Sequence, residues 1–324
     1  MGSIEVIGLG ALNIDHLYRV EHILDDGEAV VDEAKSFPGG SAANTVYGLA
    51  RLGVSTGYAG VVGDDAGGKE LLRDFERVGV DTSRIRVKPE KTGSVLCLSD
   101  RQGRRSLYVA PGVNNLLTMD DLDLAYINQA GWLHISSFAD YKQLEVLLGL
   151  MGRLSSSVRV SFAPGVLHSS KGMATLSPIL RRTDLLLVNR REMQHMTQKD
   201  IIAGAGSCLE RGCRLVVVTL GQGMTLEVGG KTVTAVAYIR DAKSEYAIGP
   251  SRPEVITGVD ATGAGDAFAA GFLYGLLRGK ALTECGCLGD MVARFSLAGL
   301  GARGGLPTLA ELVQRYRELY HRPL

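Results

Sequence analysis

Residues 4–10, Ile4-Glu5-Val6-Ile7-Gly8-Leu9-Gly10, form an apolar, β-branched run that ends in glycine and predicts the first strand. Similar apolar runs occur at 57–62, 131–136, 158–162, 185–188 and 215–220. Helical patterns alternate with them at 42–52, 68–78, 144–154, 201–210, 267–277, 282–300 and 309–320. Continuous apolar strands that alternate with helices are typical of a parallel sheet covered on both faces. The sequence therefore predicts an α/β fold with a mainly parallel central sheet.

Two segments interrupt this alternation. Residues 15–37 and 94–110 have more polar, alternating β-type sequence, and the second contains a hairpin turn at Asp100-Arg101-Gln102-Gly103. Neither segment is followed by its own helix, so together they predict a small second sheet that covers a cleft as a lid. We expect a single domain over residues 1–324, with the lid formed by about 15–37 and 94–110.

Composition narrows the class of protein. Of the 324 residues, 45% are apolar and 22% charged, which suits a globular protein with a large core. Lys+Arg and Asp+Glu are both 35, so the net charge is zero, which argues against a dedicated nucleic-acid binder. The five cysteines include no C-x-x-C pair, which argues against a zinc site. Because the sequence shows neither a signal peptide nor a membrane span, we expect a cytoplasmic protein without a membrane partner.

The motif with the most chemistry is Asp260-Ala261-Thr262-Gly263-Ala264-Gly265-Asp266-Ala267-Phe268, which leads into an apolar helix. Small residues at 263–265 let the backbone approach a ligand, and the free N–H groups of a helix start carry partial positive charge. Together they predict a phosphate cradle, beside which Asp266 can accept a proton from an attacking hydroxyl. The alternative is an N-terminal acid that only complements the helix dipole.

A second group of polar residues lies near the N-terminus. Asn13 and Asp15 follow the first strand, and Gly39-Gly40-Ser41-Ala42-Ala43-Asn44 opens the next helix. Open α/β sheets bind ligands at the carboxyl ends of their strands, so these side chains can grip several hydroxyls. The alternative is that Ser41 caps the helix and Asp15 is solvated.

Two further motifs follow predicted strands. Asn189-Arg190-Arg191-Glu192 is either an ordinary capping box or a pair of oxygen ligands near a hydrated Mg²⁺. Thr219-Leu220-Gly221-Gln222-Gly223 is either a nucleotide-binding loop or a simple turn. A dinucleotide-binding interpretation of the sequence from Gly8 is weak, because Asn13 stands where the third glycine of G-x-G-x-x-G belongs.

The order and type of these motifs resemble the ribokinase-like carbohydrate kinases, also called the phosphofructokinase B family, over nearly the whole chain. The segment 39–44 with Ala50-Arg51-Leu52-Gly53 resembles the N-terminal signature of that family, and 260–266 resembles its C-terminal signature. Ala261 departs from the usual Thr of the second signature. The resemblance implies a three-layer αβα sandwich with a β-sheet lid.

The resemblance also implies roles for individual residues. For catalysis it implies Asp266 as the base and an anion hole formed by Gly263, Ala264 and Gly265. For the nucleotide it implies Asn189 and Glu192 near Mg²⁺ and phosphate, with Glu192 acting through water, and an ATP-binding loop formed by Thr219, Gly221 and Gly223. For the substrate it implies contacts from Asn13, Asp15, Gly40, Ser41 and Asn44. Some members use a monovalent cation such as K⁺, for which Thr257 and the loop 301–305 are candidates. Many members form homodimers through the lid.

The substrate class is left open by the sequence. We favour a sugar or nucleoside that bears ribose. The rivals are fructose, 2-keto-3-deoxygluconate or a sugar phosphate as acceptor, and a catalytically silent ligand-binding regulator on the same fold. A sugar phosphate would need basic residues in the pocket, for which Arg101, Arg104 and Arg105 are candidates, although a solvated turn is the simpler interpretation of these arginines.

Overall fold

The computed structural model describes residues 4–102, 104–251 and 260–324. Its strands are β1 (Val6–Leu9), β2 (Asn13–Val20), β3 (Val31–Gly39), β4 (Thr56–Gly63), β5 (Ile85–Lys88), β6 (Gly93–Asp100), β7 (Arg105–Ala110), β8 (Trp132–Ser136), β9 (Arg159–Ala163), β10 (Thr183–Asn189), β11 (Leu215–Val228), β12 (Lys231–Asp241) and β13 (Glu245–Ile248). Its helices are α1 (Ser41–Arg51), α2 (Ala66–Val78), α3 (Leu124–Ile127), α4 (Tyr141–Met151), α5 (Gly165–Ser169), α6 (Gly172–Leu180), α7 (Arg190–Thr197), α8 (Ile201–Glu210), α9 (Ala264–Leu277), α10 (Leu282–Ser296) and α11 (Leu309–Tyr320).

The large sheet has the order β13-β12-β11-β10-β9-β8-β1-β4-β5 within the described ranges. Neighbours from β11 to β5 are parallel, whereas β11, β12 and β13 pair antiparallel at one edge. The predicted mainly parallel sheet is therefore confirmed, with an antiparallel edge added to it.

Side chains of the central strands alternate between two apolar layers. Val6 packs in a cluster with α1, α9, α10 and α11, whereas its neighbour Ile7 packs in a cluster with α4, α6, α7 and α8. Because successive residues of a strand point to opposite faces, one continuous apolar run serves both layers and gives the αβα sandwich. Among the helices that the structure describes, none is long and apolar enough to cross a membrane.

The second sheet has the order β3-β2-β6-β7 and is named here the lid sheet. β2 pairs parallel with β6, and each pairs antiparallel with its own hairpin partner. These strands coincide closely with the two polar segments that the sequence singles out. Gly103 of the predicted hairpin turn lies outside the described residues, but Ser99 pairs with Arg105 across the hairpin.

The main departure from the predicted strands lies at residues 215–248. The predicted strand 215–220 continues as β11 to Val228, so the segment 219–223 is an irregularity within a strand rather than a strand end. Gly229 and Gly230 then turn the chain into β12 with φ of 58° and 73°, which is the backbone that a two-residue hairpin requires. The glycine pair was the sequence signal for this hairpin.

Candidate active site

A cavity of about 730 Å³ lies between the lid sheet and the carboxyl end of the central strands. Its walls include most of the predicted substrate and anion-hole positions, namely Asn13, Asp15, Gly40, Ser41, Asn44, Gly263 and Asp266. Its apolar wall includes Leu107 and Val109 from the lid sheet and Val166 and Leu167 from α5. Residues that are far apart in sequence thus meet at one concave site.

Asp266 occupies the third position of α9 and lies partly buried at this cavity. One carboxylate oxygen accepts a hydrogen bond from Ser41 Oγ at 2.6 Å, and the other accepts one from Asn44 Nδ2 at 2.9 Å. Burial raises the pKa of Asp266 to about 6, although these hydrogen bonds and the charge of Arg303 oppose the rise. The carboxyl group is therefore poised to exchange a proton near neutral pH.

Gly263 provides the sharp turn into α9. Its φ is 75°, and a Cβ on it would lie 2.5 Å from Ala302 Cβ, so both the backbone and the space require glycine. The first N–H groups of α9 have no acceptor within the helix and carry partial positive charge. Gly265 is exposed, with no described atom within 4 Å of the position that a Cβ would take. The arrangement can hold an anion beside Asp266.

Asp15 and Asn13 reach the cavity from β2. Burial raises the pKa of Asp15 to about 7, the charges of Asp266 and Asp260 add to the rise, and Arg303 opposes it. Asn13 is buried, and its Oδ1 accepts a hydrogen bond from Asn114 Nδ2 at 2.9 Å. Asp15 is therefore not a solvated surface acid, which was the alternative for this residue.

The two glycines that join the lid sheet to α1 leave room for these groups. A Cβ on Gly39 would collide with the Asp15 carboxylate, and one on Gly40 would collide with the Ala11 carbonyl. Gly40, with φ of 101°, is the N-cap residue of α1, and Ser41 is its first helical residue. The alternative in which Ser41 caps the helix is therefore wrong, because its hydroxyl donates to Asp266 instead.

Asn189 and Glu192 form a reciprocal capping box at the start of α7. Asn189 N and Nδ2 donate to the two Glu192 carboxylate oxygens at 3.0 and 2.8 Å, and Glu192 N donates to Asn189 Oδ1 at 2.9 Å. Burial raises the pKa of Glu192 and the charge of Asp266 adds to it, against the Asn189 hydrogen bonds. The capping interpretation holds, and it places two oxygen-bearing side chains within electrostatic range of Asp266.

Thr219, Gly221 and Gly223 lie on the strand next to α7. Thr219 pairs with Asn189 across β10 and β11, and the register shifts directly after it. Gly221 and Gly223 have φ of 62° and 111°, and Gly221 is exposed. These residues are not among the cavity walls, but Arg191 of α7 is, so α7 connects the two regions.

The lid arginines separate into two kinds. Arg101 pairs with Asp32 and Arg104 with Asp100, as expected for a solvated turn. Arg105 instead lies in the cavity wall, where its Nη2 donates to Thr262 Oγ1 at 2.7 Å. Arg105 is exposed, but it belongs to β7 rather than to the turn, and strand alternation places it on the cavity side with Leu107 and Val109.

Two residues that organise the site were not predicted from sequence. Asn114 bonds to the backbone of Leu12 through both amide atoms, at 3.0 and 3.1 Å, and so supports Asn13. Arg303 bonds to Asn44 Oδ1 at 2.9 Å. Their partners are 102 and 259 residues away in sequence, so no local pattern identified them. Thr257, a predicted cation ligand, lies outside the described residues.

Similarity to known proteins agrees with this geometry. The model of the pfkB family of carbohydrate kinases matches residues 3–309. An uncharacterized sugar kinase of Archaeoglobus fulgidus is 36% identical over 80% of this chain and 98% of its own length. A cytidine kinase of Thermococcus kodakarensis is 31% identical over 92% and 98%, and an ATP-dependent ribose-1-phosphate kinase of Halopiger xanaduensis is 30% identical over 83% and 84%.

The fold also matches a solved structure of the same type. The ribokinase of Thermotoga maritima superposes with a TM-score of 0.80 over 97% of this chain and 99% of its own, at 22% identity. At that identity the likeness shows the ribokinase-like fold alone. Together with the family match over most of the sequence, these findings show that the chain belongs to the pfkB family of carbohydrate kinases.

Proposed function

We propose that this chain transfers the γ-phosphoryl group of ATP to a hydroxyl of a ribose-bearing sugar or nucleoside, with Asp266 as the general base. The observation that carries the proposal is the position of the Asp266 carboxylate, at the start of α9 and in the same cavity as Asp15 and Asn13. A proton acceptor, hydroxyl-binding side chains and an anion-stabilising helix end then share one space.

The cavity suits a substrate with adjacent hydroxyls and one less polar part. Asp15 and Asn13 offer a carboxyl and an amide that can hydrogen-bond neighbouring hydroxyls of a ribose ring. Val166 and Leu167, which are 42% and 41% exposed, lie on another wall and can pack against a flat apolar group such as a nucleobase.

In the proposed reaction the acceptor hydroxyl attacks the γ-phosphorus, its proton passes to Asp266, and the bond to the bridging oxygen breaks to release ADP. The backbone N–H groups at Gly263, Ala264 and Gly265 stabilise the charge on the transferring group. Closure of the lid sheet over a bound acceptor would exclude water from the cavity and so strengthen these interactions.

Asn189, Glu192, Thr219, Gly221 and Gly223 are proposed to hold the nucleotide. The Asn189 and Glu192 oxygens are hard donors, and the raised pKa of Glu192 next to Asp266 marks an acidic region that suits a hydrated Mg²⁺. When bound, Mg²⁺ would neutralise phosphate charge through its waters. We also propose that a monovalent cation such as K⁺ binds near the loop 301–305. We further propose a homodimer that forms through the outer face of the lid sheet, where Leu96 and Tyr108 are exposed.

The first test is ATP consumption with Mg²⁺ across nucleosides, ribose, fructose, 2-keto-3-deoxygluconate and sugar phosphates. We expect a ribose-bearing acceptor to lead the others by at least about 100-fold in kcat/KM, because a site that hydrogen-bonds hydroxyls at fixed positions rejects acceptors that leave its polar groups unpaired. The deoxy analogue of the leading acceptor is the matched control and should lose most of that advantage.

Other outcomes of this panel are equally informative. Equal rates with the acceptor and its deoxy analogue would contradict hydroxyl recognition by Asp15 and Asn13. Folded protein that binds ATP but phosphorylates none of the compounds would favour the silent regulator over the kinase.

A specific observation favours one alternative acceptor, a sugar phosphate. Arg105 brings a guanidinium into the cavity through its bond to Thr262, directly ahead of the glycines of the anion hole. Arginine binds phosphate with paired hydrogen bonds, and a relative named for ribose-1-phosphate shares 30% identity. In this case the acceptor would carry its own phosphate beside Arg105.

Arg105→Gln tests this alternative. If the acceptor carries a phosphate, we expect kcat/KM for it to fall by about 10- to 100-fold, because a hydrogen bond to a charged group is lost. The rate with a neutral acceptor should change by less than about threefold. Arg101→Gln, on the same hairpin but paired with Asp32, is the control and should change neither rate. Equal losses with both acceptors would show that Arg105 acts through Thr262 rather than on a phosphate.

A further inference from the structure

Arg303 is a buried cation whose contacts are all directed inward. Its side chain is 7% exposed and follows α10 in the glycine-rich loop 301–305. Nη1 pairs with Asp74 Oδ2 of α2 at 2.6 Å, and Nη2 donates to the Gly39 carbonyl at 3.2 Å. The guanidinium also lies 5.1 Å from the Tyr47 ring centroid and 5.2 Å from that of Phe75. Packing and hydrogen bonds therefore fix this side chain in one orientation.

The remaining contact determines how the Asn44 amide is turned. Arg303 Nε donates to Asn44 Oδ1 at 2.9 Å. Arginine has donors and no acceptor, so the amide atom that faces it must be the oxygen. The NH₂ group of Asn44 is then directed to Asp266 Oδ2, 2.9 Å away. Without Arg303 only the ionised Asp266 carboxylate, which accepts and cannot donate, would select this orientation, and Asn44 Oδ1 would lose its donor.

We propose that Arg303 is a positioning residue for phosphoryl transfer, which orients the Asp266 carboxylate through the amide of Asn44 and ties that orientation to the lid sheet through Gly39. This inference rests on the proposed role of Asp266 as base.

The contact with Gly39 gives the arrangement a link to the lid sheet. Gly39 is the last residue of β3, and Gly40 turns the chain from there into α1. The same guanidinium thus holds the base of the lid sheet and the amide that holds Asp266. Arg303 therefore links the lid strand at Gly39 to the carboxylate orientation, beside the direct hydrogen bond from Ser41 to Asp266.

Charges around Asp266 determine what removal of Arg303 does to its pKa. Asp15 of β2, Asp260 ahead of α9 and Glu192 of α7 are acidic, whereas Arg105 of β7 and Arg191 of α7 add positive charge to the cavity wall. Arg303 lowers the pKa of Asp266 and of Asp15. Without Arg303 the pKa of Asp266 rises, so Asp266 stays protonated to a higher pH.

The test compares Arg303→Met with Asp74→Asn in the full chain, with the acceptor that leads the panel. We expect Arg303→Met to lower kcat by about 10- to 100-fold, the effect of one charge-assisted hydrogen bond, and to move the acid limb of the kcat profile to higher pH. Asp74→Asn breaks the same ion pair on the side away from Asp266. It should lower Tm but leave kcat and the acid limb in place.

A double-mutant cycle asks whether the effect passes through Asn44. At a pH well above the acid limb, Arg303→Met in an Asn44→Leu background should change kcat by less than about threefold, because the group through which it orients Asp266 is already gone. Effects that multiply independently in the cycle would overturn the proposal, as would a wild-type kcat in Arg303→Met. Should Arg303→Met not fold, Arg303→Lys, which keeps the charge but cannot reach all three acceptors, must lower kcat without moving the acid limb.

Carboxyl-carbon NMR provides a readout that needs no acceptor. The Asp266 resonance is the one missing from Asp266→Asn, and its titration midpoint should rise in Arg303→Met and not in Asp74→Asn. An unchanged midpoint in Arg303→Met overturns the proposal. Turnover by Asp266→Asn decides the role of the base separately, so failure of the proposed function and failure of this inference give different results.

Discussion

We expect Asp266→Asn to lower kcat by about 1,000-fold, within the range for loss of the proposed general base, and to leave the fold intact. Asparagine keeps the shape of the side chain and can still contact Ser41 and Asn44, but it cannot take the proton of the attacking hydroxyl. Because burial disfavours the ionised carboxylate, as its pKa of about 6 indicates, the variant should not lose Tm at pH 7. Steady-state kinetics and thermal unfolding on the same preparation measure both effects.

The wild-type protein should show a matching pH dependence. The pKa of Asp266 is raised from its ordinary value to about 6, so the ionised form, which the proposed base role requires, is lost as pH falls through that value. The acid limb of the kcat profile is expected near pH 6, and Asp266→Asn should lack it.

A matched variant distinguishes catalysis from a helix-dipole effect. Glu311 occupies the same third position in α11 that Asp266 occupies in α9, and it is not among the cavity walls but forms a capping box with Thr308. Glu311→Gln should lower Tm slightly and leave kcat unchanged. Near-normal turnover by Asp266→Asn would instead mean that Asp266, like Glu311, only complements its helix.

Sequence predicted best the helices and strands that local patterns determine, namely capping residues and runs of apolar residues. Helices 201–210 and 309–320 were predicted with the bounds that α8 and α11 have, because Asp200 and Thr308 cap their first turns. The central strands were predicted from continuous apolar runs, since both of their faces are buried. The antiparallel edge was missed because β12 and β13 follow a hairpin rather than a helix, and the strand–helix alternation carries no signal for it.

Residues of the candidate site could be predicted where they belong to one short sequence motif, but not where they depend on contacts between distant parts of the chain. Asp266 and Gly263 belong to one short segment whose chemistry can be read locally. Arg105 differs from Arg104 only in strand position, so its inward direction depends on the register of β6 and β7. Arg303 was missed because Gly39 and Asp74 are 264 and 229 residues away in sequence. Which buried partners Arg303 meets across such sequence separations is determined by the tertiary fold and not by any local sequence pattern.

Gly263→Ala should lower kcat by at least about 100-fold, the usual effect of losing one anion-hole donor. An alanine at φ 75° is strained by about 1–2 kcal/mol in the left-handed region. Its Cβ would also lie 2.5 Å from Ala302 Cβ and 2.8 Å from Ala302 Cα, so the backbone has to move. That movement would displace the N–H groups that we propose face the transferring phosphoryl group.

Two other glycines serve as controls that separate backbone strain from the added methyl group as causes of the loss of kcat. Gly279 has φ of 66° and no described atom within 4 Å of its Cβ position, so Gly279→Ala carries the backbone strain alone and should lower Tm without changing kcat. Gly265 has neither a left-handed φ nor a close neighbour, so Gly265→Ala should keep the wild-type Tm. Any loss of kcat in Gly265→Ala would then report a methyl group in the space of the phosphoryl group. If Gly263→Ala loses Tm as Gly279→Ala does but keeps its kcat, the start of α9 is a tight turn and not the anion hole.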